Sequence, residues 1–124
     1  MNPKVSMVLR ILLGIFVLIF GINKFLNFLP APEGMSADAG AYFGALVNSK
    51  TMTLVAIVEI VAGLALIFDK FGALLSIILM SVSVNAVLFH AVLDTGNILP
   101  AIVLLALNIV ALINYKENYR DLLN

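Results

Sequence analysis

Thr51–Phe68 reads TMTLVAIVEIVAGLALIF, and its one charged residue, Glu59, sits near the middle. Eighteen residues of helix at about 1.5 Å each span about 27 Å, close to the hydrocarbon thickness of a bilayer. The stretch therefore reads as a membrane-spanning helix with a carboxylate close to the bilayer centre. Such a placement costs about 2.5–3.5 kcal/mol on insertion scales and more in simulations. A partner, a water-filled cavity or protonation must offset that cost. Arg10, Lys24, Asn85, His90 and Asn108 are the other polar residues of interest within or at the ends of apolar runs.

Composition agrees with this reading. The chain is 63% hydrophobic and 11% charged. Soluble domains carry about 25% charged residues, so this chain cannot cover a water-facing surface. Seven basic side chains balance seven acidic ones, and no basic block suggests nucleic acid. The absence of cysteine excludes disulfides, thiol exchange and cysteine-held iron–sulfur clusters within this chain. A single histidine cannot build a bis-histidine haem or a multi-histidine metal site, so no metal site is expected. Redox chemistry, if the chain takes part in any, needs a bound cofactor or a partner.

Working outward, three further apolar runs cover residues 5–25, 71–93 and 98–115. With 51–68 they predict an all-α integral membrane protein, a bundle of four transmembrane helices forming one domain over residues 1–124. Asp69-Lys70 and Asp94-Thr95-Gly96-Asn97 are short links that force antiparallel neighbours, and Pro100 suits the first turn of the last helix. The long connection, 26–50, opens with Pro30, Pro32 and Gly34, which stop the first helix. Ser36 is a natural N-cap, and Ala39, Tyr42, Phe43, Leu46 and Val47 fall on one helical face. A short interfacial or partly re-entrant helix is expected there. The first run is expected to be retained, because Arg10 interrupts it and it exceeds a signal-peptide core in length. With the N-terminus inside, Lys4, Arg10, Lys70, Lys116 and Arg120 lie inside and Lys24 and Lys50 outside. Five against two favours both termini in the cytoplasm.

Each run has a stripe of small or polar residues on an otherwise greasy surface. Arg10, Gly14, Val17, Gly21 and Lys24 align on the first, and Ala56, Glu59 and Gly63 on the second. Ser76, Ser83 and His90 align on the third, and Ala101, Leu104, Asn108, Ala111 and Tyr115 on the fourth. Counting helical rise from the inner face puts Arg10 about 6 Å below Glu59 and Lys24 about 14 Å above it. That arithmetic predicts an ion pair between Arg10 and Glu59, completed by Asn108 or Ser83. It also puts Lys24 and His90 at one height near the outer mouth, in a shared polar pocket under the helix of 36–48. Glu59 reads either as a proton or ligand site or as that structural pair. Lys24 and His90 read as ligand or proton groups or as interface residues. Asn85 and Asn108 read as ligand contacts or interhelical hydrogen bonds.

The segment LRILLGIFVLIFGINKF, with Arg10, Gly14, Gly21 and Lys24, resembles the opening helix of the DoxX family. VEIVAGLALIFDKFGALLS, with Glu59 and Gly63, is similar to the family's second helix and turn; NAVLFHAVLD, with His90, resembles the end of its third. AYFGALV fits the short helix between the first two spans, and the likeness covers about residues 5–112. Asp69-Lys70 departs from it, since the family often has an apolar or glycine-bearing turn there. The resemblance implies a four-helix protein of the inner membrane that lies in the lipid bilayer. It implies partnership with other membrane redox subunits, quinone-linked or related to thiol stress, with quinone as the cofactor class. Other relatives act as receptors or assembly chaperones, so a scaffold without catalysis stays open beside it. A small-ligand or proton transporter stays open too, although broken helices and repeats are lacking.

Overall fold

The computed structural model describes residues 1–123, which form five α-helices. They are α1 Pro3–Leu26, α2 Ala37–Asn48, α3 Thr51–Phe68, α4 Gly72–Leu93 and α5 Leu99–Asn114. Two short 3-10 segments, Thr95–Asn97 and Lys116–Leu122, follow α4 and α5. Local chemistry sets most of the boundaries. The Asn2 side chain accepts from the Lys4 amide at 2.7 Å, and Pro3 fills the first helical position, where its missing N–H costs nothing. So α1 starts two residues before the apolar run does. It ends at Asn27, in the left-handed region at φ 52°, and Asn23 Oδ1 takes the Leu29 amide at 2.7 Å. Ser36 caps α2 by accepting from the Ala39 amide at 3.1 Å, with Asp38 in the first turn.

The inner turn departs from the expected bounds. Asp69 and Phe71 both adopt positive φ, at 53° and 59°, so the chain reverses in three residues and α4 begins at Gly72, not Phe71. Two left-handed non-glycine residues so close together are costly, and a specific contact holds them. Tyr115 donates its hydroxyl to Asp69 Oδ1 at 2.5 Å, and its ring lies where a Gly72 side chain would project. A tyrosine phenol keeps its proton at neutral pH, so it is the donor in this contact. Tyr119 donates to the Ala73 carbonyl at 2.7 Å, tying the segment after α5 back to α4.

The chain is an all-α bundle of apolar, membrane-spanning helices. By length and composition α1, α3 and α4 can cross a membrane. The number reaches four when α5 is joined to Lys116–Leu122, which bends away from it by 73°. At 16 residues α5 is about 24 Å long, shorter than the run read from sequence. The core gathers Leu13, Val17, Leu66, Leu75, Leu79 and Leu104. Ile15, Ile19, Leu54, Ile57 and Val61 point outward, as a bilayer allows and water would not.

The α1–α3 contact is the tightest in the bundle. A methyl group built on Gly63 would lie 2.7 Å from the Gly14 carbonyl oxygen, and one on Gly14 would lie 2.9 Å from the Gly63 oxygen. The two backbones touch, as small residues permit in membrane helices. Seven residues along, Gly21 faces Ala56 and Glu59, its missing methyl 3.0 Å from Glu59 Cβ. These contacts fix the register of the two antiparallel helices.

Candidate functional site

That register brings Lys24 to Glu59. Gly21 is level with Glu59, so Lys24 stands only three residues, about 4.5 Å, above it, and Arg10 eleven residues, about 16 Å, below. Lys24 Nζ lies 2.6 Å from Glu59 Oε1, and the side chains are 21% and 4% exposed. The ion pair expected between Arg10 and Glu59 does not form. Arg10 Nη1 instead donates to the carbonyl oxygens of Leu66 and, at 3.3 Å, Ile67. These belong to the last turn of α3, whose carbonyls lack helical partners and attract a cation. The sequence arithmetic failed because it started both helices at one membrane face. In the bundle α1 is slid along α3 by about 10 Å relative to that assumption, the distance at which Gly14 meets Gly63.

Asn108 and Ser83 are not at Glu59 either. Asn108 is fully buried between α4 and α5, where it donates to the Ser76 carbonyl at 3.0 Å. It accepts from Ser83 Oγ at 2.7 Å. The clamp is fully buried and presents no accessible polar atom to a ligand. Asn85 lies on another face of α4 and donates to the Ser81 carbonyl at 2.7 Å, which leaves its amide oxygen open.

At the other end of the bundle His90 Nδ1 contacts Asp94 Oδ2 at 3.1 Å, one helical turn on. Asp94 is buried, and Asn97 Nδ2 donates to both its oxygens, at 3.1 and 3.2 Å. The same amide donates to the Glu33 carbonyl at 3.1 Å, and Ser36 Oγ donates to the Leu93 carbonyl at 3.0 Å. This network fastens the segment before α2 to the end of α4, with the imidazole Nε2 left out of it. Phe89 meets the His90 ring edge-on, centroids 5.0 Å apart.

Between these groups lies a cavity of about 510 Å3. Its polar lining includes Lys24, Thr51, Glu59, Ser81, Asn85 and His90. Phe16, Phe20 and Phe89 form much of its aromatic wall, and Tyr42, Phe43 and Leu46 of α2 line a further side. A residue profile of known families matches residues 5–91, from α1 into the last turn of α4, and its description is DoxX. The chain belongs to the DoxX family. No curated protein and no solved structure matches it.

In this DoxX protein the matched region includes Lys24, Glu59, Asn85 and His90 and stops short of Asp94 and α5. The structure thus brings four of the sequence candidates to one cavity and sets Asn108 and Arg10 elsewhere. Asp94 and Asn97 are what sequence reasoning missed. The signal was present: a carboxylate one turn after the only histidine, in a four-residue link rich in turn formers.

Proposed function

We propose that this DoxX protein is an accessory subunit of a membrane redox system and that its cavity holds a quinone-type ligand. The observation that carries the reading is the buried Lys24–Glu59 pair at the wall of an aromatic-lined cavity. Small-molecule sites are mostly apolar spaces of about 300–1,000 Å3 with a few convergent polar groups. This cavity has that size and that chemistry. The donor set suits a quinone: the Lys24 ammonium and the His90 ring can each meet a carbonyl oxygen, and Phe16 and Phe20, packed against each other in the wall, offer aromatic surface to a planar ring. A bound quinone would supply a two-electron carrier. The chain's own residues bind and orient it and keep water out. With no cysteine, the protein cannot pass electrons through thiols, which is why the role is accessory.

Extraction of the protein from mild detergent, followed by mass spectrometry, tests this. A stoichiometric quinone is expected from the unmodified chain, strongly depleted in Lys24→Met. Extracts that contain only phospholipid would overturn the reading.

The same proposal includes the arrangement in the membrane. α5 makes a fourth crossing, α2 lies at the outer interface, and both termini face the cytoplasm of a cell with an inner membrane. The Lys/Arg imbalance supports it. Single cysteines placed at Ser36 and Gly96 are expected to react with an impermeant reagent from outside, and those at Lys70 and Asn118 only after permeabilisation. Outside labelling at Lys70 would refute the orientation.

A further inference from the structure

His90 Nδ1 faces two oxygens of one residue, Asp94 Oδ2 at 3.1 Å and the Asp94 backbone carbonyl at 3.4 Å. A backbone carbonyl only accepts, and of an imidazole and a carboxylate the ring nitrogen is the stronger base. The proton in this contact therefore rests on Nδ1. Nε2 is then the ring atom whose proton can come and go. It carries a lone pair when the ring is neutral and an N–H when the ring is charged. Among the described residues nothing hydrogen-bonds to Nε2, and it is not a buried atom. His90 lines the cavity, with 21% of its side chain exposed.

Asp94 is held in place independently of the ring. Its side chain is 2% exposed, and Asn97 Nδ2 donates to both carboxyl oxygens, at 3.1 and 3.2 Å. Asn97 is anchored in turn on the Glu33 carbonyl. A fixed carboxylate behind an imidazole sets the tautomer and stabilises the positive charge when the other nitrogen takes a proton. The other ionisable side chains around the cavity are Lys24 of α1, Tyr42 of α2 and Glu59 of α3, and α5 contributes none. Lys24 and Glu59 meet each other at 2.6 Å, whereas Nε2 of His90 has no such partner.

We propose that His90 is a proton-exchanging group of the cavity, with Nε2 as the exchanging atom and Asp94 as its positioning residue. In the accepting direction an O–H or N–H bond of a cavity ligand breaks and the proton bonds to the Nε2 lone pair. The ligand keeps the electron pair, and the imidazolium charge lies against Asp94. The reverse step returns the proton, and Nδ1–H stays in place in both directions. The inference rests on the reading of the cavity as a ligand site and not on which ligand fills it. It adds how one ring accepts from a ligand when neutral and donates to a carbonyl oxygen once charged.

The test is nitrogen-15 NMR of the full chain, labelled at histidine, in lipid nanodiscs. His90 is the sole histidine, so one pair of ring-nitrogen signals reports on it. The pH is raised until the signals stop moving, which gives the neutral ring. There Nδ1 is expected to show the shift of a protonated nitrogen and Nε2 that of a bare one. Asp94→Asn is expected to exchange the two shifts. Asn97 donates to this side chain, so the amide oxygen turns to Asn97 and the amide N–H to Nδ1, which moves the ring proton to Nε2. A neutral ring protonated at Nε2 in the unmodified chain would overturn the inference, and so would an Asp94→Asn ring that keeps Nδ1–H. The link to the cavity is read with two probes, 1-octanol and nonane. Octanol is expected to move the Nε2 signal and leave Nδ1 nearly still, and nonane, which has no hydroxyl, to move neither. No response to octanol, or an equal response to both, would overturn the inference. None of these readouts needs a quinone, so chains that extract without one leave this test intact. Should Asp94→Asn fail to fold, the tautomer of the unmodified chain and its response to octanol decide alone.

Discussion

Lys24→Met is expected to lower stability by about 3–5 kcal/mol, more than Lys24→Met combined with Glu59→Gln. The single change leaves a carboxylate that is 4% exposed without its counter-charge, while the double change leaves two neutral groups. The loss falls toward the lower end of that range, because 21% of the Lys24 side chain is accessible from the cavity and the charge is not wholly dry. Glu59→Gln alone is also expected to exceed the double change, since it strands the ammonium. Arg10→Gln behaves differently. Its partners are the Leu66 and Ile67 carbonyls, so its effect adds to that of Glu59→Gln. Equilibrium unfolding in a single detergent, run as the two double-mutant cycles, checks both statements. Additivity for Lys24 and Glu59, or coupling between Arg10 and Glu59, would show that the carboxylate has a different partner.

The contrast between those two cycles also marks what could be read from the sequence. Which residues face inward was legible, because helical periodicity is local. Ala101, Leu104, Asn108 and Ala111 are buried as their spacing requires, and so are Gly14, Val17 and Gly21. The cap at Ser36 was legible for the same reason. How far one helix slides along its neighbour was not, since sliding by a turn preserves the stripe while changing every pairing. Arg10 and Lys24 sit on one stripe of α1, and counting both helices from one membrane face put Arg10 within reach of Glu59 and Lys24 beyond it. The meeting of Gly14 with Gly63 selects Lys24. Asn108 shows the same limit: its face was correct, but its partners, Ser76 and Ser83, lie on α4 and not on α3. The boundaries moved where non-local contacts hold them, as at Phe71, where the turn depends on Tyr115 reaching back to Asp69. Asp94 was passed over as a link residue because its value lies in what it fastens: His90, Asn97 and, through Asn97, the segment before α2.

Since the α1–α3 crossing sets the Lys24–Glu59 pair, a single methyl group there is expected to disturb both stability and the cavity. Gly63→Ala puts a Cβ 2.7 Å from the Gly14 oxygen and 2.9 Å from Leu18 Cβ. The first of these is backbone and cannot rotate away, so the helices must part. Overpacking of this kind costs about 1–3 kcal/mol, and Gly63→Val is expected to cost more. The control is Gly40→Ala in α2, where an added Cβ meets nothing within 4 Å. There the alanine only removes the conformational freedom of glycine within a helix, and a gain of about 0.5–1 kcal/mol is expected. Thermal unfolding of the two variants beside the unmodified protein in one detergent measures the difference. A tolerated Gly63→Ala would mean that α1 and α3 do not touch through their backbones. The ligand readout separates the two variants further. Parting α1 from α3 carries Lys24 away from Glu59, so Gly63→Ala should weaken retention of any cavity ligand, whereas Gly40→Ala leaves the pair in place and should not.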